Sequence, residues 1–212
     1  KSMEKVNTRL LLVAAALGTL LTGCSGTSSL PQATTRPSLT TDVNDYKYLI
    51  GPGDNVSIFV WRNPEISGSF VVRPDGKVTT ALVEDLDVSG RTPTMLAREI
   101  EEKLATYINN PRVTVSVNGF SGPLSEQVRV IGEATNPRAI NFTEHMTLLD
   151  LMISVGGLTE FADGNDAKLI RVVDGRQNTY KIAIDDLIRD GDISKNVDML
   201  PGDIVIIPEA WF

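Results

Sequence analysis

Cysteine and histidine occur once each in the 212 residues, as Cys24 and His145. Those two counts bound the chemistry open to the chain. One thiol cannot form an intramolecular disulfide. One imidazole excludes a two-histidine metal site, and HExxH, within a single chain. His145 follows Thr143 and Glu144, which suits acid–base chemistry. The three lie in a polar turn before a helix start, however, with neither a cysteine nucleophile nor a GxSxG serine beside them. Glu84, Asp85 and Asp87, and the pair Asp185/Asp186, are the residue types of a glycosidase carboxylate pair. With 27 acidic residues in the chain such neighbours arise by chance, and solvated turns account for them. Gly51, Gly53, Gly156 and Gly157 form neither GxGxxG nor a Walker loop; turns and a helix cap account for them. The residues point to a protein that is not an enzyme and holds no metal or cofactor.

Cys24 stands apart, because an unpaired thiol either does chemistry or has chemistry done to it. It sits in LLTGCS (20–25), after a positive start at Lys5 and Arg9 and an apolar run over 10–21 broken only by Gly18 and Thr19. That is the layout of a secretory signal peptide, with a run too short for a comfortable membrane span. LTGC resembles the lipobox of bacterial lipoproteins, in which the thiol takes a diacylglyceryl group and cleavage exposes the cysteine as the new N-terminus. The resemblance implies removal of residues 1–23 and lipidation of Cys24. An ordinary secreted protein with a chance cysteine, or a single-pass anchor, would be the alternative. Charge, run length, small residues and the lone cysteine agree on the lipobox. Two or more acyl chains anchor a protein durably, at about 0.8 kcal/mol per buried methylene. Ser25 follows the cysteine where an inner-membrane-retained enterobacterial lipoprotein has aspartate. By that sorting rule the expected address is the periplasmic face of the outer membrane.

Without residues 1–23 the formal charge moves from −7 to about −9, since Lys1, Lys5 and Arg9 leave with Glu4. So acidic a chain, with no basic or aromatic-interleaved stripe, argues against nucleic acid as a partner. Residues 25–45 are rich in Ser, Thr and Pro and cannot offset their ordering entropy, so 24–45 reads as a flexible tether.

From Tyr46 the sequence patterns as an α+β fold of two small modules. In YLIGPGDNVSIFVW (48–61) a Pro-Gly turn leads into a strand with Val56, Ile58 and Val60 on one face and Ser57 and Phe59 on the other. FVVRPDGKVTT (70–80) predicts a hairpin about Asp75-Gly76, and 82–90 a further extended piece. Thr92 and Pro93 predict a helix start. Leu96, Ile100, Leu104 and Tyr107 then give one apolar face over 93–107. VTVSV (113–117) returns to a period of two, completing a strand–hairpin–helix–strand unit. Past a boundary at 119–126, VRVIG (128–132) predicts a strand and NPRAIN (136–141) a turn into an extended piece. Thr147 with Asp150 predicts a helix start, and Gly156-Gly157 its end. AKLIRVVDGRQNTYKIAI (167–184) predicts a second hairpin, and residues 185–189 a helical turn. Pro201-Gly202-Asp203 before Val205 and Ile207 repeats the offsets of Pro52-Gly53-Asp54 before Val56 and Ile58. Two turn-into-strand signals, or two similarly built modules, would both produce that echo.

The longer strings carry a resemblance. Residues 48–61 and 67–117 are similar to the polysaccharide export domain of outer-membrane export proteins. VRVIGEATNPRAINFTEHMTLLDLMISVGGLTEFADGNDAKLIRV with LPGDIVIIPEAWF resembles the soluble-ligand-binding β-grasp (SLBB) module. The resemblance implies an export domain over 46–122 and a β-grasp domain over 123–212. It is nearest to exopolysaccharide export proteins that end shortly after one such module, including the group linked to exosortase-type gene clusters. It further implies a homo-oligomeric periplasmic ring, tethered to the outer membrane, that conducts nascent exopolysaccharide from an inner-membrane polymerase and its chain-length-regulating co-polymerase. Gly51, Pro52, Gly53 and Asp54 match the export domain's signature turns, as do Arg73, Pro74, Asp75 and Gly76. Gly132, Gly156, Gly157, Pro201, Gly202 and Asp203 are the β-grasp motif positions. All are expected to build the fold and subunit contacts, and none is assigned as a sugar ligand. A non-conducting adaptor lipoprotein that recognises glycan or peptidoglycan is the alternative function. The capsule-export channel of this family spans the membrane with a C-terminal amphipathic helix, for which EAWF after Pro208 is too short. The expectation is therefore that the chain does not form the pore by itself, and that a separate outer-membrane β-barrel, or strands paired between subunits, supplies it.

Overall fold

The computed structural model describes residues 38, 40, 42–173 and 175–211. Cys24, the signal segment and nearly all of the tether lie outside the described residues.

The first module is organised by strand alternation. β1 (Asn55–Val60) buries Val56, Ile58 and Val60 and turns Phe59 outward. It is the centre of a three-stranded antiparallel sheet, between β2 (Gly68–Val71) and β5 (Val113–Asn118). Helix α1 (Pro93–Leu104) lies over the inner face. The Thr92 hydroxyl accepts from the Met95 amide, and Pro93, with no amide hydrogen to leave unpaired, opens the first turn. Leu96, Ala97, Ile100 and Leu104 are its buried face. Tyr107 is not part of that face. The helix ends at Leu104, and the chain must swing through Asn110, at φ +48°, to reach β5, which leaves Tyr107 66% exposed.

The expected hairpin about Asp75-Gly76 is also corrected. The turn forms: the Gly76 amide donates to the Arg73 carbonyl and the Arg73 amide to the Lys77 carbonyl. Only Gly76 has positive φ, at +80°, as in a three-residue loop that ends on a left-handed glycine. Its arms then part. β2 pairs with β1, whereas β3 (Lys77–Val78) pairs with β4 (Leu86–Asp87) in a separate two-stranded sheet.

The second module is a five-stranded β-grasp-like sheet in the order β7-β6-β10-β8-β9. These strands are β6 (Gln127–Gly132), β7 (Ala139–Asn141), β8 (Ala167–Val173), β9 (Arg176–Ile182) and β10 (Ile204–Ile207). The chain's last strand, β10, fills the centre, parallel to β6 and antiparallel to β8. Helix α2 (Leu148–Val155) covers one face with Leu148, Leu151, Met152 and Val155. Thr147 and Asp150 form the reciprocal capping box, and Gly156, at φ +81°, ends the helix. The bonds from Thr147 hold the Asp150 carboxyl below its ordinary range. A short helix α3 (Ile184–Ile188) packs beside them through Ile184 and Leu187. Each module has its own core, so the chain is an α+β fold of two modules. Among the described residues no helix is long and apolar enough to cross a membrane.

Candidate functional site

The motif residues gather in two places, each centred on a buried aspartate. Gly51-Pro52-Gly53-Asp54 is a turn in which the Asp54 amide donates to the Gly51 carbonyl. Gly53 at φ +92° after a proline fits the type II geometry. The Asp54 side chain folds back, so that the Gly51 amide donates to its Oδ2 at 2.9 Å. Leu200-Pro201-Gly202-Asp203 repeats each element. The Asp203 amide donates to the Leu200 carbonyl, Gly202 has φ +84°, and the Leu200 amide donates to Asp203 Oδ2 at 2.8 Å. Both carboxylates belong to residues with no solvent exposure.

Their remaining partners differ. Asp54 receives the amides of Ser121 and Gly122 on Oδ1, at 2.7 and 3.1 Å, and the Tyr48 hydroxyl on Oδ2. Ser121 and Gly122 belong to the connection between the modules, so Asp54 fixes that connection against the first module. Burial, and then the bond to Asp54, drive the Tyr48 phenol far above its ordinary range. Gly51 lies so close that a Cβ there would stand 2.0 Å from the Gly122 carbonyl carbon. Tyr46 reaches the other way, with its ring centroid 4.9 Å from that of Phe142 in the second module. A gap where the modules meet, beside Tyr46, Tyr48 and Phe142, is about 10 Å³, room for one water at most. That gap is too small for a sugar ring. Asp203 is held by Arg171, whose Nε donates to Oδ1 at 2.9 Å and Nη2 to Oδ2 at 2.7 Å.

The other predicted positions serve the two sheets. Arg73 bridges Asp75 and, at 2.8 Å, Asp85 on an exposed loop, with Pro74 inside the turn. Gly76 is buried against Ser89, whose Cβ would be 2.7 Å from an added methyl. At Gly132 the approach is closer still, 1.9 Å from the Ile207 carbonyl oxygen, with φ +92°. Gly157, at φ +82°, donates its amide to the Met152 carbonyl beyond the end of α2. His145 is exposed and stands 4.0 Å from Glu144. Among the described residues no group of three or more His, Cys, Asp or Glu is placed to hold a metal ion.

Sequence reasoning missed one surface. An open groove of about 470 Å³ runs along the first module beside Phe59, Trp61, Arg98, Glu101, Arg112 and Thr114. Phe59 and Trp61 are 50% and 59% exposed and meet edge to face, centroids 6.4 Å apart. Arg98 and Glu101 are occupied: they pair at 2.7 Å and clamp the Val113 carbonyl and amide. The alternation of β1, which sends Phe59 outward, was the available signal.

Residues 42–118 match the family described as Polysaccharide biosynthesis/export protein, and residues 126–207 match the SLBB domain. The chain is a two-domain polysaccharide export and SLBB-domain protein. Among its curated relatives is the EPS I polysaccharide export outer membrane protein EpsA of Ralstonia nicotianae, 28% identical over 76% of this chain and 47% of that protein. EpsA of Ralstonia solanacearum is 27% identical over 74% and 47%, respectively. The capsule polysaccharide export protein BexD of Haemophilus influenzae is 25% identical over 76% and 43%. This export–SLBB chain thus spans about half the length of the curated relatives it matches. Those relatives are named as export proteins.

Proposed function

We propose that this protein is a periplasmic component of a polysaccharide export machine, a ring of identical subunits through which nascent exopolysaccharide moves outward. The observation that carries this reading is the order of the two matched domains on one chain, joined through the Asp54 lock. In this proposal residues 1–23 are removed, Cys24 carries lipid on the outer membrane, and 24–45 tethers the domains of 46–122 and 123–212. An inner-membrane co-polymerase feeds the ring, and a separate outer-membrane β-barrel completes the path. The open face of the second sheet supports self-association. Ile131, Ile170, Ile204 and Ile206 lie across its neighbouring strands on the side opposite the buried Val130, Leu169, Val205 and Ile207. A sheet face open to water is ordinarily polar.

The test is deletion of the gene with complementation by the full chain. The expected result is loss of surface polymer with retention of polymer in the periplasm, restored by the wild type and not by Cys24→Ser. Normal surface polymer in the deletion strain overturns the reading. A purified lipidated protein that remains monomeric, and a deletion strain that still exports, would favour the glycan-binding adaptor instead.

A further inference from the structure

We propose that the outer face of the first module's sheet, from Trp61 down to Asn118, is a binding strip for an acidic segment of polysaccharide. This inference rests on the export reading and names the surface that touches the polymer. Antiparallel register puts Phe59 opposite Thr114, Ser57 opposite Ser116 and Asn55 opposite Asn118. Trp61, one residue past β1, donates its amide to the Arg112 carbonyl and so extends the same ladder. Two exposed aromatic rings therefore face a guanidinium and a hydroxyl, and below them the strip continues as serine and asparagine, about 20 Å in all from Trp61 to Asn55.

Each part suits a sugar chain. Aromatic rings offer a flat apolar surface to the C–H faces of a pyranose, while neighbouring polar groups take its hydroxyls. Ser57, Ser69 and Asn118 bond to one another at 2.7 and 3.3 Å, partners that exchange readily for ligand hydroxyls. Arg112 is exposed and, unlike Arg98, is paired with no carboxylate among the described residues. A planar guanidinium in that state takes a carboxylate through two parallel bonds, which selects a uronate over a neutral sugar. A protein partner fits less well, because beyond the two rings and Val71, which lies opposite Asn55 and is 63% exposed, the strip offers hydroxyls and amides.

Trp61 and Trp211 are the two tryptophans of the chain, so Trp211→Phe makes emission report on the strip alone. The full chain carrying that change is titrated with hexagalacturonate and with cellohexaose as the neutral counterpart. The expected result is a saturable blue shift with hexagalacturonate, at least tenfold weaker with cellohexaose and weakened by salt. By calorimetry, Trp61→Ala and Arg112→Gln should each lower hexagalacturonate affinity at least tenfold. Trp61→Phe should retain most of it, and Tyr180→Ala, on the second module, should leave it unchanged. Absence of saturable binding overturns the proposal, as does binding that survives both Trp61→Ala and Arg112→Gln. So does a Trp61→Ala protein whose sedimentation mass falls while glycan binding is unaltered, which would make the strip a subunit contact. Failure here with export still lost in the deletion strain leaves the export reading standing. Normal export in that strain with binding intact removes the export reading alone.

Discussion

The two Pro-Gly-Asp turns have the same backbone and opposite surroundings. In each, a buried aspartate closes its own turn by accepting the amide three residues back. Asp203 then meets a cation within its own module, where Arg171 grips both carboxylate oxygens. Asp54 meets neutral donors: two amides of the intermodule connection and one phenol. A repeated local motif has thus been put to two uses. At Asp203 it ties the central strand β10 to β8 through a charge pair. At Asp54 it holds the entry to the second module. The position that opens each turn follows the same logic. Leu200 has space for a side chain, whereas Gly51 lies directly against the connection that Asp54 binds.

The largest effect should therefore come from making the first turn resemble the second at its opening residue. In Gly51→Ala the new methyl would overlap backbone atoms of Gly122 and Pro123 at 2.0–2.2 Å, and a backbone cannot rotate away as a side chain can. We expect a loss of at least about 4 kcal/mol, the range of severe overpacking and broken networks. Urea unfolding measures the loss. Limited proteolysis near Gly122 should show faster cleavage than in the wild type. A variant with native stability and native cleavage would mean that the joint is not as tight as drawn.

Breaking the charge pair comes next. Asp203→Ala strands Arg171, whose side chain is 22% exposed, and frees the Leu200 amide. Removing one partner of a largely buried pair costs about 3–5 kcal/mol, while replacing both by apolar residues of similar size is far better tolerated. Adding Arg171→Met to an Asp203→Leu protein should thus recover much of the stability lost in the single variant, by urea unfolding. Equal losses in single and double variants would show that the turn, and not the pair, is what Asp203 supports.

How far such features were legible in the sequence depends on the reach of the interaction. The cap at Thr92, the Thr147–Asp150 box and the hairpin before Arg176 are set by neighbours three or four residues apart, and reading the sequence placed them. So were the buried faces of β1 and α1 as far as Leu104. Tyr107 and the parting arms after Gly76 were misplaced, since both depend on where the chain must travel next. The echo of the two aspartates was visible as spacing. That Asp54 would reach Ser121 and Gly122 was not, because no local pattern encodes a partner 67 residues away. Trp61 and Arg112 become neighbours only once β1 and β5 are paired.

Asp54→Asn should fall below Asp203→Ala. The amide keeps one acceptor oxygen, so part of the set of donors is still met, while its NH₂ now faces donors. Losing bonds to a charged acceptor costs about 1.5–3 kcal/mol each, partly offset because no ion is left unpaired. We expect a net loss of about 2–3 kcal/mol. With no cation among the carboxylate's hydrogen-bond partners, the loss should be nearly the same at low and high salt, unlike that of Asp203→Ala. A strong salt dependence for Asp54→Asn would erase the distinction between the two turns.

The smallest effect isolates the phenol. Tyr48→Phe removes one donor from Asp54 and should cost about 1.5 kcal/mol at neutral pH, the low end for a bond to a charged acceptor, because the carboxylate keeps its three amide donors. Its pH dependence is more informative than its size. Burial and the Asp54 carboxylate raise the folded-state pKa of Tyr48 above the ordinary phenol value of about 10. A raised pKa means that the folded protein retains a proton which the unfolded chain gives up. The stabilisation is thus fully present below pH 10 and is lost as the pH climbs past it. Replacement by phenylalanine deletes that loss along with the bond. Wild type should accordingly exceed Tyr48→Phe by a constant margin from pH 7 to 9, and the margin should shrink from pH 10 upward. Groups that titrate alike in both proteins cancel in the difference between the two unfolding curves. A margin that stays flat through pH 10.5 would mean that the phenol ionises as readily in the folded protein as in the unfolded chain. Asp54 would then hold the joint through the Ser121 and Gly122 amides without it.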